Sequence, residues 1–154
     1  MKKMIAAFLT SAACIAASAS PSLIGTWTSS RELSMAFARD HARLEPRTEK
    51  FLNQMMGRLT VRFDADRIAY DLPDWDVEVE GVGHRMVGFR EAHPYKILFV
   101  NDTSVVVQGA QPVTGKQVVT VYNFVDDNTM WIYCGSPDKG LPDMNIREYF
   151  VRVK

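Results

Sequence analysis

From residue 23 to the end of the chain, short segments with strand character follow one another, most of them joined by tight turns. Apolar side chains alternate with polar ones, as Leu59, Val61 and Phe63 do, and this period of two is typical of strands with one buried face. About ten such strands are predicted. Because an open row of strands leaves two unpaired edges, the pattern favours a mainly β fold, an antiparallel up-and-down (meander) barrel of about eight to ten strands.

The boundaries of these strands follow from the turn residues between them, which include His93-Pro94. Val105-Val106-Val107 and the segment around Tyr122 are apolar on both faces, so we expect one face to line the barrel and the other to lie under a second layer. The predicted strands cover residues 23–28, 59–63, 68–72, 77–79, 84–91, 95–100, 104–108, 117–125, 129–134 and 146–153.

Between the first and second strands the apolar spacing changes to a helical period. Ser29 and Ser30 are both suitable N-caps for a helix over residues 31–44. Pro46 fits the first turn of a second helix, and Gly57 ends it. The second helix has an apolar stripe of Phe51, Leu52, Met55 and Met56. A short amphipathic helix pair is therefore predicted after the first strand.

The chain begins with the three parts of a bacterial secretory signal peptide: Lys2 and Lys3, an apolar run, and small residues up to Ala19. We expect residues 1–19 to be removed and residues 20–154 to form one domain, periplasmic or secreted. An alternative is a lipoprotein, in which Cys14 is lipidated and anchors the protein in the outer membrane. No other segment has the length and apolarity of a transmembrane helix.

Composition narrows the partners of the predicted mature chain. Without residues 1–19 it keeps 16 basic against 18 acidic residues, a net charge of −2. That balance argues against a nucleic-acid partner. Cys134 is then the remaining thiol, and no intrachain disulfide can form.

The two ends of the domain carry a family resemblance. Gly25-Thr26-Trp27 on the first strand, the helix pair, and a meander that ends in Arg147-x-Tyr149 resemble the calycins, the lipocalins and fatty-acid-binding proteins. The fatty-acid-binding proteins imply that Arg147 and Tyr149 reach into the cavity and hold a carboxylate. The lipocalins imply a different role, in which Arg147 stacks on Trp27 and closes the barrel. The sequence leaves both roles open.

Arg147 and Tyr149 lie two residues apart on one predicted strand, so their side chains share a face with Val151 and Val153. An apolar face with one Arg and one Tyr suggests an interior with one polar anchor for a carboxylate. The candidate ligand-binding residues are Arg147, Tyr149, Trp27, Tyr122 and Met55.

Other chemistries find little support in the sequence. The three histidines have no metal-ligand spacing, and no nucleophile elbow or phosphate loop is present, so neither an enzyme nor a metal or cofactor site is predicted. The methionines suggest copper in a periplasmic protein, but they show no Met-x-Met pattern and are interpreted as packing residues.

The predicted function is binding of a small lipophilic ligand that can carry a carboxylate. The alternative is a periplasmic inhibitor or immunity-type protein, with a filled barrel as scaffold and loops that bind another envelope protein. Its candidate surface is the loop of residues 135–143 or the loop of residues 72–75, in which an exposed Trp75 would be an anchor. The sequence identifies neither the ligand nor the oligomeric state.

Overall fold

The structure is a computed structural model that describes residues 20–135 and 144–154. The predicted signal peptide with Cys14, and residues 136–143 of the predicted binding loop, lie outside the described residues. The elements are β1 (Gly25–Ser29), α1 (Arg31–His41), α2 (Pro46–Met55), β2 (Thr60–Phe63), β3 (Arg67–Leu72), β4 (Trp75–Val79), β5 (Val82–Met86), β6 (Phe89–Val100), β7 (Ser104–Ala110), β8 (Gln117–Asp126), β9 (Thr129–Tyr133) and β10 (Arg147–Arg152).

Eight of the described strands close into one antiparallel barrel, in the order β1-β10-β9-β8-β7-β6-β3-β2. The sheet closes where β1 pairs with β10 on one side and with β2 on the other. Closure leaves none of these strands with an unpaired edge. The predicted fold class, a mainly β up-and-down barrel with a helix pair after its first strand, is confirmed.

The helix pair forms for the local reasons that the sequence indicates. Ser30 caps α1, because its hydroxyl accepts a hydrogen bond from the Leu33 backbone N–H at 3.4 Å. Pro46 begins α2, where its missing N–H has no partner to lose. The first helix packs against β10 and the second against β4. In the described part of the chain, neither helix is long and apolar enough to cross a membrane.

The strands β4 and β5 form a separate two-stranded sheet between β3 and β6 in the chain. Gln54 of α2 holds this hairpin, since its side-chain amide donates to the Glu78 carbonyl at 3.1 Å and accepts from the Glu78 N–H at 2.8 Å. Trp75 is only 7 % exposed, with the Arg58 guanidinium 5.9 Å from its ring centre. The prediction of an exposed Trp75 anchor is therefore wrong, because Trp75 is buried where α2 packs against β4.

Buried side chains fill the barrel interior. Its core contains ten buried residues: Leu23, Trp27, Val61, Phe63, Ile68, Val105, Val107, Tyr122, Met130 and Phe150. A smaller apolar cluster packs Met35 of α1 and Leu52 of α2 against Ile146, just before β10. The described part of the barrel interior is thus packed with side chains.

The strand pairing of β1 corrects the predicted partner of its tryptophan. Trp27 lies opposite Arg152, whose guanidinium is 4.1 Å from the ring centre, while Arg147 lies at the other end of β10. The Trp27 indole N–H donates to the Leu23 carbonyl at 2.8 Å. Trp27 does stack with an arginine of the last strand, but Arg152 makes the stack, and the prediction of Arg147 in that role is wrong.

A second correction concerns His93-Pro94, which was predicted to be a turn and lies inside the long strand β6. The predicted strand over residues 84–91 is divided between β5 and β6. Pro94 is accommodated because it stands where the pairing of β6 with β3 ends and the pairing with β7 begins at Tyr95. At that position the absent N–H of proline breaks no ladder.

Candidate functional site

An open groove of about 380 Å³ crosses the outer wall of the barrel on β8, β9 and the start of β10. We call it the outer groove. Tyr122 and Met130 point into the core, so their neighbours Val121 and Trp131 face outward. It is lined by Val119, Thr120, Val121, Asn123, Trp131, Tyr133, Asn145 and Arg147.

Arg147 sits at one end of the groove, clamped between two aromatic rings. Its guanidinium carbon is 3.8 Å from the ring centre of Trp131 and 4.3 Å from that of Phe37 on α1. Both distances are typical of cation–π stacking, which uses the faces of the guanidinium and leaves its N–H edge free. Within residues 20–135 and 144–154, no carboxylate pairs with this guanidinium.

The aromatic surroundings of Arg147 include Tyr149, as the sequence predicted from their two-residue spacing. The Tyr149 ring centre is 6.1 Å from that of Phe37 and 6.5 Å from that of Trp131. Its backbone N–H donates to the Ser34 hydroxyl of α1 at 2.9 Å, which fixes the helix on the strand. The two predicted anchor residues therefore share one face and one aromatic setting.

That face is the outer one, which contradicts the predicted interior position. Phe150 belongs to the barrel core, so the side chains of Arg147 and Tyr149 project to the opposite side. The prediction failed because β10 carries apolar side chains on both faces, Phe150 on one and Val151 on the other. Helix α1 covers the outer face there, so apolarity alone does not reveal the inside.

The other three predicted ligand-binding residues lie elsewhere. Trp27 is fully buried in the core, and Tyr122 is 5 % exposed. Tyr122 hydrogen-bonds with Tyr70, and burial raises the pKa of both phenols. Met55 packs at the cluster between the helices and the segment before β10. The structure thus brings together only Arg147 and Tyr149 of the five.

Sequence reasoning missed the two rings that hold Arg147. Trp131 of β9 lies directly opposite Tyr149 of the adjacent strand β10. Tyr133 of β9 lies opposite Arg147 in the same way. Phe37 comes from a helix more than a hundred residues away in the chain. Of these two rings, the position of Trp131 could have been predicted from the alternation along β9. Met130 and Ile132 share one face of that strand, and Trp131 and Tyr133 share the other.

A second polar group faces the barrel interior near the β7–β8 loop. Glu91 and His93 lie opposite Tyr70 and Ile68, two residues of the interior, and their side chains are 2.8 Å apart. Glu91 also accepts the Val113 backbone N–H at 3.2 Å. The His93 hydrogen bond, with that of Val113, lowers the pKa of Glu91. This group was not predicted, since His93 was assigned to a turn.

The groove is bordered by an apolar wall that no second layer of the described residues covers. Val119 is 59 % exposed and Val121 43 %, although cover for this face was expected. Among the described residues, no three His, Cys, Asp or Glu side chains are placed to hold a metal ion.

Comparison with protein-family models, with curated proteins and with solved structures finds no match for this chain.

Proposed function

We propose that this protein is a calycin-like binding protein that takes up a small lipophilic molecule with a carboxylate. The site is the outer groove. The observation that carries the proposal is the guanidinium of Arg147, which stacks between Trp131 and Phe37 and makes no ion pair with a carboxylate of the described residues.

The polar end of the ligand finds a fixed partner in Arg147. A guanidinium can bind a carboxylate through two parallel N–H···O bonds, and charge-assisted bonds of this kind are stronger than neutral ones. Trp131 and Phe37 hold the guanidinium in place, so little side-chain entropy is lost when the ligand binds. The aromatic rings also keep water away from two sides of the ion pair.

The apolar end of the ligand finds the exposed wall of β8. Val119 and Val121 line the groove and are largely open to water. Covering them removes apolar surface from water, which stabilises a complex by about 25 cal/mol per Å². The volume of about 380 Å³ falls at the lower end of small-molecule sites, which suits a short acyl chain or a single ring system.

The test is a binding titration with a fluorescent fatty-acid analogue. We expect Arg147→Gln to weaken binding by about 10- to 100-fold, the effect of losing hydrogen bonds to a charged group. The matched control is Arg62→Gln, which removes an exposed guanidinium paired with Asp64. Unchanged affinity in Arg147→Gln, with an unchanged melting temperature, would rule the proposal out.

A second candidate function is binding of another envelope protein by the same wall. Phe99, 56 % exposed, extends the apolar surface from β8 to β6. Exposed apolar patches on a folded domain often mark contacts with other proteins. Cross-linking in periplasmic extract tests this: Phe99→Asp should abolish a specific adduct, whereas Val87→Asp, at an exposed position between β5 and β6, should not.

We propose that either function is performed outside the cytoplasm, on the pattern of residues 1–19. The mature protein then begins at Ser20. Mass spectrometry of the periplasmic fraction should give the mass of residues 20–154, and a chain that starts at a lipidated Cys14 would favour the lipoprotein instead.

A further inference from the structure

The apolar cluster between the helices and the segment before β10 is rich in sulfur. Met35 and Met56 are buried in it, and Met55, Met144 and Cys134 pack against them. Its other members are Leu44, Leu52 and Ile146. Among the described residues, five of the eight members of this sulfur cluster therefore carry a sulfur atom, which alternation and spacing along the chain did not reveal.

Four separate segments deliver these atoms, and hydrogen bonds fix the segments. The Cys134 N–H donates to the Ile146 carbonyl at 2.9 Å, which joins the end of β9 to the start of β10. The Ser29 hydroxyl accepts the Gly57 N–H at 2.9 Å and donates to the Glu148 carboxylate at 2.6 Å. These bonds tie the end of α2 and the end of β1 to β10.

Thioether and thiol groups are soft ligands, and they select Cu(I) over hard cations. Histidines and carboxylates are not assembled for a metal in the described part of the chain. A site built from the sulfur cluster would therefore discriminate against Mg²⁺, Ca²⁺ and Mn²⁺, which require oxygen ligands.

We propose that the sulfur cluster is a binding site for one Cu(I) ion, held by the Cys134 sulfur and by thioethers from among Met35, Met55, Met56 and Met144. The inner methionines, Met35 and Met56, are buried, while Met55, Met144 and Cys134 are half-buried. We call this half-buried set the rim of the cluster.

Binding replaces one proton. The backbone N–H of Glu148 hydrogen-bonds to the Cys134 sulfur. Coordination forms a sulfur–copper bond and breaks the S–H bond, so R–SH and Cu(I) give R–S–Cu(I) and H⁺, with no change of oxidation state.

The first experiment is an anaerobic competition between the full chain and bicinchoninate, a coloured Cu(I) chelator. We expect the protein to remove one Cu(I) per chain from the chelator, with the stoichiometry confirmed by native mass spectrometry. If the chelator keeps its copper at a large excess of folded protein, the proposal is overturned.

Variants locate the ion. Cys134→Ala and Met144→Leu should each weaken Cu(I) binding by about tenfold or more, because each removes a ligand while a leucine keeps the volume of the methionine. Met130→Leu is the matched control, since Met130 is a buried methionine of the barrel core outside the sulfur cluster. Equal affinity in Met130→Leu and Met144→Leu would overturn the site. Because Met144 lies at the half-buried rim, Met144→Leu remains informative if Cys134→Ala does not fold.

X-ray absorption of the copper-loaded protein supplies an independent readout. Sulfur scatterers alone in the first shell support the assignment, and nitrogen or oxygen scatterers alone contradict it. Arg62→Gln, which removes an exposed guanidinium of β2 that pairs with Asp64, should bind Cu(I) as the parent does.

Discussion

Two arginines on the same strand stack on tryptophans, and their remaining contacts differ. Arg152 stacks on Trp27 at 4.1 Å and also donates hydrogen bonds from its three nitrogens to the carbonyls of Ser22, Ile24 and Asp127. Arg147 stacks on Trp131 and Phe37 without a described carboxylate partner. A satisfied guanidinium belongs to the structure, whereas one with its N–H edge open is available to a ligand. This contrast supports the proposal that Arg152 has a structural role at its end of β10, whereas Arg147 binds a ligand in the outer groove.

The largest expected effect comes from the satisfied arginine. Arg152→Ala removes the stack and all three hydrogen bonds, and it leaves the backbone carbonyls of Ser22, Ile24 and Asp127 to find other partners. We expect the free energy of unfolding to fall by about 3 kcal/mol or more. Chemical denaturation measures it.

The comparison requires that Arg147→Ala cost less than about 1 kcal/mol, as substitutions at partly exposed sites without lost hydrogen bonds usually do. If both substitutions destabilise the protein equally, the distinction between the two arginines is wrong.

Gly25 of β1 tests the position of Arg152 from the neighbouring strand. A Cβ at this position would lie 2.8 Å from Nη1 of Arg152, and its φ of +126° is one that side-chain-bearing residues rarely adopt. Gly25→Ala should therefore destabilise the barrel by about 1–3 kcal/mol. Gly83→Ala is the control, because nothing lies within 4 Å of a Cβ there. If Gly25→Ala left the free energy of unfolding unchanged, the Arg152 side chain could leave its position without destabilising the barrel.

How much of this could be predicted from the sequence depends on the range of each interaction. Turn residues and periods of two and 3.6 act within a few positions, and they predicted the order of the strands and the helix pair. The partner of Trp27 depends on the register between β1 and β10, which lie at opposite ends of the chain. Since Arg147 and Arg152 both fall in the last strand, alternation alone could not decide between them.

The candidate site was harder to predict for the same reason. The pairing of Arg147 with Tyr149 follows from local spacing, and the structure confirms it as a shared face. Which face is inside depends on where α1 packs, and that contact joins Phe37 to the last strand. Pro94 shows the reverse error, because a strong local turn signal was overruled by its place at the junction of two ladders.

The smallest expected effect concerns Glu148, which lies between the two arginines on β10. Burial raises its pKa, while the Ser29 hydrogen bond opposes this. The folded state therefore binds the proton more tightly than the unfolded state. Stability should fall as the pH rises from the ordinary carboxyl pKa through the raised one.

Glu148→Gln keeps a hydrogen-bond acceptor for Ser29 and removes the titration. Denaturant unfolding at about pH 5 and about pH 8 should show a smaller fall in stability with pH for the variant than for the parent. An identical fall in both proteins would mean that Glu148 is solvated.

The most direct measurement compares decanoate with decanol by calorimetric titration, in the parent and in Arg147→Gln. We expect the parent to bind decanoate at least about tenfold more tightly than decanol. In Arg147→Gln this preference should disappear, while the affinity for decanol should remain that of the parent. The account would be contradicted if the preference survived in Arg147→Gln, or if the parent bound the two compounds equally.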